Sequence, residues 1–310
     1  MSVEIVPYES RHLETLRRLV RDGGLAGEFD FLVQPGQLEE KLTDPYLAPD
    51  CVFLGRDGGR TVGFSLAFVV PATGGGAWAA IRLGVDASAR RRGLGSALLA
   101  RVAERLASSR FEGGVHELGL AAFMPNPAAE AFAAAHGFEH TRWFWRMERP
   151  TAPAPDLNWP AGIEPRMFVG SEAAIADYND AYNASFARHY HFVPSTLATL
   201  RRRLEHPGAL ADGLLLAYRG DCCVGFCRNE RMSSTGVIGV LGTIPEARGI
   251  GLGRALLRWA IASFGSRGFP RVGLMVDGEN ESALALYRSE GFEIERTRRF
   301  WRRSSGPEST

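Results

Sequence analysis

Two short stretches of this chain carry residues that could hold an anion: ARRRGLGSALL at 89–99 and ARGIGLGRALL at 247–257. In each, an arginine precedes two glycines at the same spacing: Arg90, Gly93 and Gly95, then Arg248, Gly251 and Gly253. Glycine lets a ligand come close to the backbone and adopts turn conformations closed to other residues. Leucines follow at helical spacing, so each turn opens a helix. A helix start presents free N–H groups and the positive end of the dipole, which favour a phosphate or pyrophosphate. Arg90 or Arg248 would add a charged, two-pronged donor. Other phosphate loops fit less well. A dinucleotide fingerprint needs GxGxxG and an acidic residue about 20 positions on, and GIGLGRAL has Arg254 after its glycines. A P-loop needs GxxxxGK[ST], and that lysine is missing. For either stretch alone, an ordinary strand-to-helix turn with solvent-facing arginines stays open.

The elements that must position these turns come in the same order twice. In the first half, a strand at Glu4–Val6 and a helix over 9–21 lead to strands CVFLG and TVGFSLAFVV around the turn RDGGR, then AWAAIRLGV at 77–85. The glycine turn follows, with a helix from Gly93 to Ser109 whose Leu94, Leu98, Val102 and Leu106 share a face. VHELGLAAF, the helix NPAAEAFAAAHGF and the strand HTRWFWRME complete the half. In the second half GIEPRMF is a strand, 171–186 and 195–204 are helices, and GLLLAYRG, CCVGFCRNE and TGVIGVLGT are strands. The helix GLGRALLRWAIASFG, the strand RVGLMVD, the helix NESALALYRSEGF and the strand EIERTRRFWRR follow. Asn126 stands eleven residues before Gly137, as Asn280 does before Gly291, and Phe138 and Phe292 come next. One α/β unit is therefore duplicated. The boundaries expected are 1–149, a Pro/Ala-rich linker at 150–160, 161–303, and a disordered tail at 304–310.

Composition narrows the function. The 310 residues suffice for two domains, and a net charge of +1 gives no footprint for wrapping DNA. Trp143 and Trp145 in RWFWRMERP would share one face of a strand, with Arg142, Phe144 and Arg146 on the other, which reads as layer packing rather than a nucleic-acid platform. No apolar run is long enough for a membrane span, and MSVEIVPYES has no signal-peptide core. A soluble cytoplasmic protein is expected, a monomer or homodimer. Of the cysteines, Cys51, Cys222, Cys223 and Cys227, three crowd into CCVGFC. Adjacent Cys222 and Cys223 point apart on a strand, while Cys223 and Cys227 would share a face. No histidine or CxxC pair completes a metal set, so no metal is expected, and the cysteines read as small buried side chains.

At these motifs the chain resembles the GNAT acyltransferases, whose acyl-CoA motif is Arg/Gln-x-x-Gly-x-Gly/Ala. Both copies fit it. The Val-x-Pro often found upstream is kept in part by each: Val85, Asp86 and Ala87, then Thr243, Ile244 and Pro245. The downstream Asn…Tyr…Gly-Phe pattern is complete only in the second copy, as Asn280, Tyr287, Gly291 and Phe292. The resemblance implies an α/β (α+β) fold of two domains, each a mixed, mainly antiparallel central sheet flanked by helices. It implies acetyl-CoA as co-substrate, its pyrophosphate on the backbone of Arg248, Gly249, Ile250, Gly251, Leu252, Gly253 and Arg254. The pantetheine arm would run along Leu241, Thr243 and Ile244, with Asn280 nearby. The corresponding first-copy set is Val85, Arg90, Arg91, Arg92, Gly93, Leu94, Gly95 and Ser96.

The reaction so implied is acetyl transfer to a primary amine of a small-molecule acceptor by direct attack. Tyr287 would protonate the leaving thiolate, unless it only packs its helix. Glu230, ending VGFCRNE, or a histidine in FARHYHFVP, His189 or His191, would be the base, each otherwise a surface or packing residue. Where Tyr287 stands in the second copy, the first has Ala133, so the first domain is expected to be degenerate, binding CoA or giving support. Two other functions stay open: a non-catalytic acyl-CoA-binding or protein-interaction module, and a protein or peptide N-acetyltransferase.

Overall fold

The computed structural model describes residues 3–22, 36–72, 75–108, 111, 113–205, 208–232 and 235–305. The chain forms two compact units, residues 1–142 with 298–310, and residues 143–297. Of the expected tail, 306–310 lie outside the described residues, whereas Ser305 donates its N–H to the His116 carbonyl at 2.9 Å.

Unit 1 runs β1 (Val3–Pro7), α1 (Leu13–Asp22), α2 (Gln37–Leu42), β2 (Phe53–Asp57), β3 (Arg60–Pro71), β4 (Ala77–Val85), α3 (Leu94–Ala107), β5 (Val115–Met124) and α4 (Pro127–Ala135). Gly58 and Gly59, at φ +57° and +82°, make the tight β2–β3 turn that the RDGGR stretch predicts. Strands β1 to β4 pair antiparallel in sequence order, and β4 pairs parallel with β5. Helix α3 buries Leu94, Leu98, Val102 and Leu106 against one face, each contributing roughly 1.5–3 kcal/mol. The other face packs Phe64 and Leu66 against Leu16 and Leu38 of α1 and α2. The short α2 has no counterpart in the sequence reading, because six residues hold too little of a helical period to show.

Unit 2 repeats the plan. Strand β6 (Glu139–Pro150) leads into it, followed by β7 (Glu164–Met167), α5 (Glu172–Phe186), α6 (Leu197–Leu204), β8 (Ala209–Arg219), β9 (Cys222–Met232) and β10 (Thr235–Thr243). Helix α7 (Leu252–Ser266), β11 (Arg271–Asp277), α8 (Glu281–Ser289) and β12 (Glu293–Ser304) follow. Strands β7 to β10 are antiparallel neighbours and β10 pairs parallel with β11. Each unit takes its last strand from the other half of the sequence. Residues 144–150 of β6 run antiparallel to β11 from Phe144↔Asp277 to Pro150↔Arg271. Residues 298–304 of β12 lie beside β5. Within the 150–160 segment, Thr151 donates its N–H and hydroxyl to the Pro270 and Phe269 carbonyls at 3.1 and 2.6 Å, and the Asp156 carbonyl accepts from Arg258 at 3.1 Å.

The cysteines need one correction. Cys223 packs with the α5–α6 layer and Cys227 with the α7 layer, so they do not share a face. The register shifts between Ala217↔Gly225 and Tyr218↔Cys223, and the extra residue reverses the alternation. Cys51, Cys223 and Cys227 are buried and Cys222 is exposed. Among the described residues, no helix is long and apolar enough to cross a membrane.

Candidate active site

Each glycine turn sits between the strand that ends at the parallel pair and the helix behind it. Gly251 precedes α7 at φ +88° and Gly93 precedes α3 at φ +81°, conformations that favour glycine. A Cβ on Gly93, Gly249 or Gly251 would meet nothing within 4 Å. The space over both backbones is therefore open to a ligand, as a pyrophosphate cradle requires. Leu252 and Leu94 turn inward and are buried, so only their backbone faces the cradle. Ile250 stays 41% exposed.

The arginines do more to shape the turn than to reach over it. Arg90 Nε donates to the Val85 carbonyl at 3.0 Å, and Arg248 Nε to the Thr243 carbonyl at 3.4 Å, the same bond in both copies. Arg248 also donates to the Ser185 carbonyl at 3.0 Å, tying the turn to the last residues of α5. Asn280 and Asn126 serve alike: each Oδ1 accepts the N–H three residues on, Ala283 at 3.1 Å and Ala129 at 3.0 Å, capping α8 and α4.

Beyond the cradle the parallel strands part. Pairing of β10 with β11 covers Gly236, Val237 and Ile238 only, and that of β4 with β5 ends at Ala80↔Gly119. In unit 1 the resulting slot belongs to a cleft of about 600 Å³, lined by Leu83, Val85, Gly93, Ala121, Phe132 and Trp301 among others. In unit 2 the slot is bordered by Leu241, Thr243 and Ile244, all half-buried.

The chemistry-bearing side chains lie on the two sides of unit 2's sheet. Strand β10 has a bulge at Gly239, where the register with β9 shifts between Ile238 and Val240. A bulge takes a backbone N–H out of the ladder. Glu230 fills the space above it, and any Cβ on Gly239 would overlap its carboxylate. Arg228 pairs with Glu230 at 2.5 Å, both side chains less than one-fifth exposed. On the opposite face, Tyr287 is 9% exposed, with Phe292 at 6.0 Å between ring centroids. Burial, with Cys227 adding to it, pushes the Tyr287 phenol up to about 12. It therefore keeps its proton throughout the neutral range. Burial also pushes up the Cys227 thiol, which makes it unreactive.

His191 lies in the loop between α5 and α6, at φ +52°, its ring 3.9 Å from that of Tyr190. Neighbouring His189 packs edge-on to Phe186 at 4.6 Å. Reciprocal bonds between Asn183 and the Ser195 backbone, at 2.7 and 3.0 Å, pin the ends of this loop. Arg254 is engaged by Ser289 Oγ at 3.0 Å and by Glu290. Glu290 also accepts from Arg258 at 2.9 Å. Burial would raise the Glu290 carboxyl, but its bonds to Arg258 and Arg254 bring it below the usual range.

Unit 1 keeps this frame with other side chains. Ser96 occupies the place of Arg254 and His136 that of Glu290, joined by a 2.9 Å hydrogen bond. Arg303 and Arg149 bond the carbonyls of His136 and Glu290 at 2.8 and 2.6 Å, so each α4 or α8 C-terminus has an arginine from the closing strand. Opposite β4, however, the register is unbroken from Gly63↔Val85 to Pro71↔Ala77, with no bulge. The pairings place Phe68 where unit 2 has Glu230. Arg91, the counterpart of Gly249, holds the left-handed conformation at φ +63°. The bulge at Gly239 escaped the sequence reading. The repeated VGF at 62–64 and 224–226 could have aligned the copies closely enough to suggest it.

The family model for the Acetyltransferase (GNAT) family matches residues 25–138 and again 174–292. A mycothiol acetyltransferase from Thermobispora bispora is 38% identical over 212 residues, 66% of this chain and 68% of that protein. One from Salinispora arenicola is 31% identical over 300 residues, 92% and 90% of the two chains. Among solved structures, a tandem GNAT protein from the clavulanic acid biosynthesis pathway superposes with a TM-score of 0.75 at 18% identity, covering 99% of this chain and 100% of its own. A GCN5-related N-acetyltransferase from Sphaerobacter thermophilus gives 0.74 at 21%, covering 98% and 96%. The two structures show the shared fold.

Proposed function

Because the chain belongs to the GNAT acetyltransferase family and is an N-acetyltransferase with acetyl-CoA as co-substrate, we propose that unit 2 carries the chemistry, with Glu230 as base and Tyr287 as acid. The observation that carries this reading is the Gly239 bulge with the Glu230 carboxylate seated over it. Open glycine cradles on both units fit the CoA pyrophosphate. In unit 2 it would be held by backbone N–H groups from Arg248 to Arg254, with Leu241, Thr243 and Ile244 along the pantetheine arm. Arg248 acts as a brace for this turn, and Asn280 by capping the helix that presents Tyr287.

Bound acetyl-CoA supplies an acetyl group already activated as a thioester. The attacking amine must shed a proton, and Glu230 receives it. The N–H freed at the bulge faces the carbonyl oxygen as negative charge grows there, a type of stabilisation worth several kcal/mol. Tyr287 donates its phenolic proton to the sulfur as it leaves. Its burial keeps that proton in place until then. The pinned loop carrying His191 borders the acceptor side, with His191 as a contact for the acceptor. Unit 1, with Phe68 and Ala133 at the two catalytic places, binds CoA at Val85 and Arg90 to Ser96 without transferring the acyl group.

We infer a small-molecule amine as acceptor. The two-domain plan and the stretch YNASFARHYHFVP resemble mycothiol synthase, and relatives named mycothiol acetyltransferase support an acceptor of that kind. We also infer a cytoplasmic monomer or homodimer, and action without nucleic acid accords with the near-neutral charge. The test measures acetyl transfer with Tyr287→Phe and Glu230→Gln. Each should lower kcat by roughly 10²–10⁴-fold, with acetyl-CoA affinity retained. Unchanged kcat in both would remove unit 2 as the catalyst.

A further inference from the structure

We propose that unit 1 binds a CoA thioester with an apolar acyl chain longer than acetyl, seated in the cleft between β4 and β5. This rests on the reading of unit 1 as a CoA-binding unit. The cleft of about 600 Å³ runs from the cradle, where Arg90, Arg91 and Gly93 line it, to Leu120, Ala121, Ala122 and Trp301. One cavity thus joins the place for the nucleotide to an apolar interior, at a size usual for ligand pockets. Pairing of β4 with β5 has ended at Ala80↔Gly119, so Leu120, Ala121 and Ala122 lie where the strands part. Successive strand residues face opposite ways, and lining by all three carries the cleft between the strands as well as along them. Its arginines stand at the cradle. Its other polar side chains are engaged: Ser96 bonds His136 at 2.9 Å, and Asn126 accepts the Ala129 N–H at 3.0 Å. Leu120, Ala121, Ala122 and Trp301 beyond them offer carbon, which suits an alkyl chain over a charged one.

Unit 2 has larger side chains at the same places. The stretches GLAAFMPN at 119–126 and GLMVDGEN at 273–280 begin on a Gly-Leu of the strand and end on the Asn that caps the next helix. They set Ala121 and Ala122 against Met275 and Val276. Seven residues past each Asn, Ala133 stands against Tyr287. Ala122 and Ala133 are buried in one layer with Trp301, as Val276 and Tyr287 are in theirs. Leu120 and Trp301 match Leu274 and Trp145, so neither makes good the lost volume. Phe132 is larger than its counterpart Leu286, but it fills the cradle end: a Cβ on Gly95 would press on its ring, and the His136 ring lies 4.5 Å from it. Interiors are close-packed, so alanines where the sister unit has Met, Val and Tyr leave room for the atoms of a ligand. Burial there favours each added methylene by about fourfold in affinity. The larger set in unit 2 suits the short acetyl group, so the two cradles would take different CoA esters.

The probes are the stable thioethers S-ethyl-CoA and S-hexyl-CoA, titrated calorimetrically into the full chain, with hydrogen exchange at residues 90–96 and 248–254 reading the two units separately. S-hexyl-CoA should bind unit 1 about tenfold tighter than S-ethyl-CoA or more, with no such gain in unit 2. Ala121→Met gives unit 1 the residue of unit 2 at a half-buried position. It should cut the preference to roughly threefold or less and leave S-ethyl-CoA binding unchanged. Equal affinities with both probes protecting 90–96, or the same gain in both units, would overturn the acyl-chain assignment alone. Protection of 90–96 by neither probe would instead overturn the reading of unit 1 as a CoA-binding unit. An undiminished preference in Ala121→Met would place the chain elsewhere and would also overturn the proposal. The two probes on the unaltered chain decide the assignment whatever the variant does to folding.

Discussion

Read in parallel, β3 and β9 of the two units are Val62-Gly63-Phe64-Ser65-Leu66-Ala67-Phe68 and Val224-Gly225-Phe226-Cys227-Arg228-Asn229-Glu230. The first three residues are the same, and the shared glycine has one task in both. A Cβ on Gly63 would press on Leu94 and Leu98, and one on Gly225 on Leu252 and Leu256, so the glycine sets how closely the cradle helix lies on the sheet. The next four residues differ, and they are the ones that would face an acceptor or support the acid. What would hold a nucleotide thioester, on the proposed reading, is largely backbone shape: glycines, a helix start and an arginine brace. That shape is fixed by packing and so persists in both units. What would carry protons, on the proposed reading, is a few side chains, Glu230 and Tyr287. Unit 1 has the same backbone shape, with Phe68 and Ala133 at the places of Glu230 and Tyr287.

The sharpest way to break this contrast is to remove the bulge's room without touching a titratable group. Gly239→Val should displace the Glu230 carboxylate and cut kcat by roughly 10²–10³-fold, the range for misplacing a base and an oxyanion donor together. The control is Phe68→Leu in unit 1, which should leave turnover unchanged. Equal losses from both would mean that unit 1 also takes part in the chemistry.

A smaller effect concerns the bridge between the cradle helix and the helix behind it. Glu290, its side chain 4% exposed, is held by Arg254 and Arg258, where unit 1 has the Ser96–His136 hydrogen bond. Arg254 is itself 43% exposed, so solvent screening reduces the pair's worth. Glu290→Gln should cost about 2 kcal/mol in urea denaturation at neutral pH, and His136→Ala about 1 kcal/mol. The folded Glu290 carboxyl titrates below its unfolded value. Its contribution is therefore complete above the unfolded value and lost as pH falls through the folded one. The gap between wild type and Glu290→Gln should close on acidification over that interval. A gap independent of pH would show the bridge to be packing alone.

Most of the frame was legible because it is periodic. Leu94, Leu98, Val102 and Leu106 announce α3, and the two Asn-to-Gly-Phe intervals announce the duplication. The glycine turns were legible because Gly93 and Gly251, at φ +81° and +88°, hold a conformation that favours glycine. The Gly239 bulge was not, since TGVIGVLGT reads as a regular strand and the shift depends on its neighbour's register. The exchange of closing strands was hidden for a different reason. TRWFWR at 141–146 and TRRFWR at 297–302 are so alike that nothing in them says which β5-type edge each will join. Arg82 looked like any alternating charge in AWAAIRLGV, and only its register against Leu66 shows which face of the sheet it takes.

The smallest prediction probes the cradles directly. Arg91 holds in unit 1 the left-handed conformation that Gly249 holds in unit 2, at φ +63° and +78°. For a residue with a Cβ this costs roughly 1–2 kcal/mol, while glycine costs up to about 1 kcal/mol in unfolded-chain entropy. Arg91→Gly should therefore stabilise unit 1 by under about 1 kcal/mol, and Gly249→Ala should destabilise unit 2 by a similar amount. Both would register as small shifts of the urea midpoint at constant slope. If Arg91→Gly instead weakened CoA binding with stability unchanged, the arginine would have a ligand contact that unit 2 obtains from backbone alone. The two cradles would then share a shape but differ in how they grip.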